Sequence, residues 1–220
     1  VAQVTEAYGV NVDADEDQWR RLTGDSQRDL TPVTQERMQR IASKLWESNL
    51  LANRLIELVL AYLVAEGVRL AVKDPANQKV LDKFWRDPIN AMDEKLPMYV
   101  REMEMYGEQC YPTFVNEATG DVRIGYLDPC LIADVVMDPD NPSQPIGVVT
   151  KKNSKGEYRK YRVIINGGED CFTGRTQGIR AGDFKDGECF LFQINKLASG
   201  RRGRSSLLPQ ADWIDAYDDF

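Results

Sequence analysis

The chain has no histidine among its 220 residues. That excludes Ser-His-Asp and Cys-His catalysis, histidine general bases and most zinc chemistry. The four cysteines, Cys110, Cys130, Cys171 and Cys189, are scattered and form no CxxC pair. Without zinc spacing they read as reduced, mostly buried thiols. No GxxxxGK[ST] loop occurs and no GxGxxG follows a strand pattern, which removes two familiar phosphate cradles. The opening residues, VAQVTEAYGV, lack a basic stretch followed by an apolar one, so no signal peptide is read there. They also lack an initiator methionine, and the chain is expected to start inside or just after a processed terminus. Positive charge is in deficit, with 28 Lys and Arg against 35 Asp and Glu, a net charge of −7. A protein that grips nucleic acid usually shows the opposite balance. No cofactor and no metal is expected. Asp13, Asp15 and Asp17 imitate the start of a calcium loop. However, Gln18 stands where that loop needs glycine and Gly24 where it needs glutamate.

What is present is ordinary globular material, 42% hydrophobic and 29% charged, enough for one large domain or two small ones. The most apolar run is Ser48 to Gly67, SNLLANRLIELVLAYLVAEG. Leu51, Leu55, Leu58, Val59, Tyr62 and Leu63 recur at helical spacing and form one wide stripe. Asn53, Arg54, Glu57 and Glu66 interrupt the run, so it falls short of the roughly 20 apolar residues a bilayer span needs. The expectation is a helix capped by Ser48 and ended by Gly67, serving as the buried axis of a soluble domain.

Around it the chain reads as helices first, then strands, then a helix, which makes the fold α+β rather than alternating. Residues 1–18 read as a flexible arm, and Trp19 and Leu22 anchor a short helix after it. Further helices are expected over Thr31–Lys44, with Trp46 in the joint that follows, over Pro75–Arg86 and over Ala91–Tyr106. Val80, Leu81, Phe84 and Trp85 point inward in Pro75–Arg86. Pro97 should kink or split the last one, and Gly107 should end it. Residues 19–108 thus make a helical part and 109–197 a mostly antiparallel β-rich part. Strands are expected over Gln109–Val115, Val122–Leu127, Leu131–Met137, Ile146–Lys152, Glu157–Ile165 and Glu188–Ile194, with a surface loop over Asn166–Gly187. Residues 198–220 hold a mobile basic link, ASGRRGR, and an amphipathic acidic helix begun by Ser205 or Ser206. That helix has no stop signal after Phe220, so the native chain is expected to continue.

Two basic features stand out. The hairpin Lys151–Arg162 carries Lys151, Lys152, Lys155, Arg159, Lys160 and Arg162, with Tyr158 and Tyr161 between them. That mixture suits a nucleic-acid surface, and lysines on a sheet edge equally discourage aggregation. Arg201, Arg202 and Arg204, flanked by glycines, suit phosphate or carboxylate partners, including the acidic faces of a neighbouring copy. The carboxylates Glu57, Glu66, Asp93, Glu94, Glu102, Glu104 and Glu108 recur at helical spacing and are expected to be solvated. A monomeric nucleic-acid-binding module and, behind it, a carboxylate-dependent hydrolase are the alternatives to a structural role.

Five segments carry a resemblance. They are WRRLTGDSQRDLTP at 19–32, RIASKLWESNLLANRLIELVLAYLVAEGV at 40–68, FWRDPIN at 84–90, MYGE at 105–108 and RGRSSLLPQADWIDAYDDF at 202–220. In order and spacing the chain resembles the portal proteins of tailed bacteriophages, and the G-x-S-x-L leading into WIDAYD is the most specific piece. The resemblance implies a non-enzymatic subunit of a ring, usually a dodecamer, at one capsid vertex in the virion. Double-stranded DNA is packaged and ejected through that ring. Its implied partners are copies of itself, the major capsid protein, the terminase large subunit and a head-tail adaptor protein, with no membrane; assembly would occur in the host cytoplasm. Residues 19–197 would be mostly wing domain, and the last helix would lead toward the stem.

Overall fold

The computed structural model describes residues 32–165, 171–198 and 200–211. The arm, the Asp13–Asp17 cluster, the Trp19 helix and the C-terminal helix beyond Ala211 lie outside the described residues. Four helices open the structure: α1 (Pro32–Ser48), α2 (Leu50–Val64), α3 (Pro75–Arg86) and α4 (Met92–Tyr106). The first runs a turn further than its sequence pattern suggests and takes in Trp46. Asn49 both ends α1, donating its N–H to Leu45 O at 2.9 Å, and caps α2, its Oδ1 accepting from Ala52 N–H at 2.9 Å. The cap is therefore Asn49 rather than Ser48, whose hydroxyl instead donates to Lys44 O at 2.7 Å. Gly67, at φ 73°, does close the α2 end.

The buried-axis expectation for α2 is corrected. Only Ala52 and Ile56 are buried, while Leu58 is 47% and Tyr62 83% exposed. The polar groups explain the choice of face. Asn49 makes its cap, Asn53 donates to Trp46 O at 3.3 Å, and Glu57 accepts from Arg101 of α4 at 3.2 Å. These bonds form only if the small-residue side carrying Ala52 turns inward, which leaves the leucine stripe outside.

Helix α3 begins at the predicted proline, with Asp74 as its cap, but it lies at the margin. Leu81, Phe84 and Trp85 are half-buried, and Val80, expected inside, is 65% exposed. Helix α4 is not split by Pro97; the missing N–H leaves only one early carbonyl without its helical donor. It ends at Gly107, at φ 77°, as the sequence requires.

Six strands follow, β1 (Glu108–Val115), β2 (Val122–Ile124), β3 (Ile132–Met137), β4 (Pro145–Thr150), β5 (Lys160–Val163) and β6 (Glu188–Gln193). They form one mixed sheet in the order β2-β1-β6-β5-β4-β3. Every neighbouring pair is antiparallel except β5–β6. The connection between β5 and β6 holds a helix, α5 (Gly174–Asp183), where a loop was expected. Thr173 caps it by accepting from Thr176 N–H at 3.3 Å. Phe184, just after it, lies against Gly147 of β4, where an added Cβ would meet the ring at 1.9 Å.

The architecture is α+β with two apolar centres. One joins Ala42 and Leu45 of α1, Ala52 and Ile56 of α2, Met105 of α4 and Leu207. The other lies on the sheet, where Val135 faces Val148 and Val148 faces Tyr161, with Cys110, Ile132, Val163 and Cys189 around them. All four cysteines are free; Cys110 and Cys189 are buried, and Cys171, against expectation, is exposed. Among the described residues no helix is long and apolar enough to cross a membrane.

Candidate functional site

The basic hairpin is built on β4 and β5. Its turn is organised by Asn153, whose Oδ1 accepts from the N–H of Lys155 and of Glu157, each at 2.9 Å. Gly156 takes φ 81°, a conformation glycine adopts without strain. The strands are shorter than predicted, so Lys151, Lys152, Lys155 and Arg159 sit in the connection. Most of the basic set already has partners. Lys151 Nζ lies 3.0 Å from Glu36 Oε2 of α1, and this contact holds the Glu36 carboxyl below its ordinary 4.5. Arg162 pairs with Glu188 of β6, Nε to Oε1 at 3.1 Å. Arg159 donates to the Tyr161 hydroxyl at 3.3 Å, which raises the guanidinium pKa. Lys160 Nζ stands 5.9 Å from the Tyr158 ring centroid. Tyr161 is buried in the sheet rather than offered outward, while Tyr158 is exposed. Lys152 and Lys155 are exposed, and their ammonium groups make no ion pair with any described residue.

The arginine segment differs most from its expectation. Arg202 is buried against Glu108, which is fully buried. Arg202 Nε donates to Glu108 Oε2 at 2.8 Å, Nη2 reaches Oε1, and Nη1 donates to Ile132 O at 3.4 Å. Gln39 of α1 donates to Glu108 Oε1 and to Pro129 O, each at 3.3 Å. Gln35, one turn earlier, donates to Gly203 O at 3.0 Å. The backbone is held as well: Arg204 N–H donates to Ile194 O at 3.1 Å and Ser206 N–H to Glu104 O at 3.0 Å.

Two glycines permit this crossing. A Cβ on Gly203 would lie 1.8 Å from Gly107 O, and one on Gly107 would lie 2.2 Å from the Arg204 carbonyl. Residues 200–207 are therefore a packed strap across the joint between helices and sheet, not a mobile link. Arg202 is not available to a phosphate or a neighbouring subunit. Arg201 is exposed and Arg204 half-buried. No local signal marks this strap, because its anchors Gln35, Gln39 and Glu108 lie far along the chain.

The helix carboxylates, expected to be solvated, are largely engaged too. Glu57 pairs with Arg101, Asp93 accepts from Trp85 Nε1, Glu104 accepts from the Ser206 hydroxyl and Glu108 holds Arg202. Glu102 accepts from the Tyr126 hydroxyl. Burial raises the Glu102 pKa and that of Tyr126 beside it. The rings of Tyr99 and Tyr126 stack at 5.5 Å, and Tyr111 meets both edge-on. Of the seven, Glu66, Asp93 and Glu94 are exposed.

Fold and site together define an α+β protein whose most constrained chemistry is an internal clamp between its two layers. No family model and no curated protein matches the chain.

Proposed function

We propose that this chain is the wing of a portal-type subunit, a passive wall element in a ring that surrounds duplex DNA at a capsid vertex. The observation that carries the reading is the meeting of two of the segments that carry the resemblance. MYGE supplies Gly107 and Glu108, and the G-x-S-x-L segment supplies Gly203, Ser205 and Leu207. Gly107 and Gly203 cross at backbone contact, Ser205 Oγ accepts from Leu207 N–H at 3.1 Å, and Leu207 enters the helical core. These five residues thus each have a physical task at one joint. That joint ties the strap leading to the C-terminal segment onto both layers of the wing, as a load-transmitting wall needs.

Charge supports the same reading. A conduit should surround DNA without gripping it, since each lysine–phosphate contact releases counterions and binds. Of the six hairpin cations, Lys151 and Arg162 are paired with carboxylates and Arg159 and Lys160 contact tyrosines, which leaves Lys152 and Lys155. On this account the role is non-enzymatic. The partners are further copies, the major capsid protein, the terminase large subunit, a head-tail adaptor and the DNA in transit.

The test is duplex binding by the purified protein at rising salt. A wall with two unpaired lysines gives weak binding whose log–log salt slope is about −2. A slope near −6 or steeper, with micromolar affinity at physiological salt, would instead identify a DNA-binding module.

A further inference from the structure

The leucine stripe of α2 lies largely uncovered by the described residues. Leu51, Leu55, Leu58 and Tyr62 follow i, i+4, i+7, i+11 spacing, the seam by which helices pack on helices. Leu51 is 37% exposed, and Leu63 beside the seam 60%. Val59 is exposed on the same helix. An apolar seam of this kind on a helix surface marks a packing face, unlike singly scattered exposed hydrophobics.

A second apolar surface lies elsewhere on the same chain. A groove of about 340 Å³ runs between α3 and the β1–β2 turn, lined by Val72, Val80, Leu81, Phe84 and Val122 and rimmed by the Lys83–Asp121 ion pair. The two surfaces hang on different parts of α4. Helix α2 is tied to Arg101 and α3 to Asp93, eight residues or about 12 Å apart along the axis. Charges match as well: Arg54 beside the ridge has no ion pair with any described residue, and Asp82 beside the groove accepts only from Gln78.

We infer that the α2 ridge of one subunit packs into the α3–β2 groove of a second copy of this chain, with Arg54 facing the neighbour's Asp82. A ridge and a groove on different parts of one subunit make a head-to-tail contact, the kind that closes into rings. The inference rests on the ring reading above and names its contact surface.

The test uses Tyr62→Glu, which spoils the ridge and keeps the groove, and Val80→Glu, which does the reverse. Both sites are at the surface, so each variant should keep the wild-type circular dichroism spectrum. By mass photometry, wild type should form closed oligomers and each variant alone should be monomeric. An equimolar mixture should give a discrete dimer, because one intact ridge and one intact groove remain. Variants that assemble like wild type, or a mixture that stays monomeric while wild type forms rings, would overturn the contact and leave the ring reading standing. So would Tyr62→Glu lowering the melting temperature without changing assembly, since the ridge would then be covered by the subunit's own chain. A wild type monomeric at every concentration would overturn the contact and the ring together.

Discussion

Changing Glu108 to glutamine keeps the shape of a fully buried side chain and removes its charge. The Arg202 guanidinium, itself 9% exposed, would then face a neutral amide, with Ile132 O at 3.4 Å as its nearest other acceptor. Leaving one member of a buried pair uncompensated costs about 3–5 kcal/mol. Gln39 also loses a charged acceptor, so the upper half of that range is expected. For a domain of this size each kcal/mol moves the melting temperature by about 3 °C, giving a drop of roughly 12 °C. The double variant Glu108→Gln, Arg202→Met removes the stranded charge and should recover at least half of that loss. Differential scanning calorimetry on wild type, both single variants and the double variant closes the cycle. A Glu108→Gln protein melting within about 2 °C of wild type would refute the clamp, and so would a double variant no more stable than the single one.

Gly203→Ala places a methyl 1.8 Å from Gly107 O and should cost about 3 kcal/mol in urea unfolding. Gly67→Ala meets open space at φ 73° and should cost only about 1 kcal/mol; equal losses would contradict the backbone crossing. Gly147→Ala drives a methyl into the Phe184 ring. It should destabilise wild type by about 2 kcal/mol but much less in a Phe184→Ala background, a coupling of about 1 kcal/mol or more in a double-mutant cycle. Glu36 has a folded pKa below 4.5, chiefly because Lys151 donates to it. Its stabilising effect is therefore present above pH 4.5 and lost as pH falls through the lower folded value. Lys151→Met should flatten the melting temperature against pH below 4.5, and an unchanged acid limb would remove that pairing.

Local signals made much of the fold legible. Pro75 after Asp74, Gly107 after Tyr106 and the alternating apolar runs placed three of the four opening helices and all six strands close to where they lie. The misses share a cause: the information is in residues distant along the chain. Helix α5 carries Gly174, Gly178 and Gly182, each unfavourable in a helix by up to about 1 kcal/mol. It is held by tertiary contacts instead: Arg180 donates to Val163 O at 3.2 Å and stacks 4.7 Å from the Phe172 ring. The Arg202 clamp is invisible locally because Glu108 precedes it by 94 positions. The periodicity of α2 located an apolar stripe but not what it faces, since hydrophobic spacing is the same for a core and for an interface. Tyr161 was misread for a related reason: strand alternation puts it on the face shared with Val148 and Val163, away from the lysines around it.

On the proposed function, identical copies of the chain stand side by side around a channel. Negative-stain electron microscopy of the purified protein at micromolar concentration tests it most directly. Annular particles of uniform, dodecamer-like diameter with a stain-filled central hole are expected. A field of small solid particles with no annulus at any concentration would contradict it.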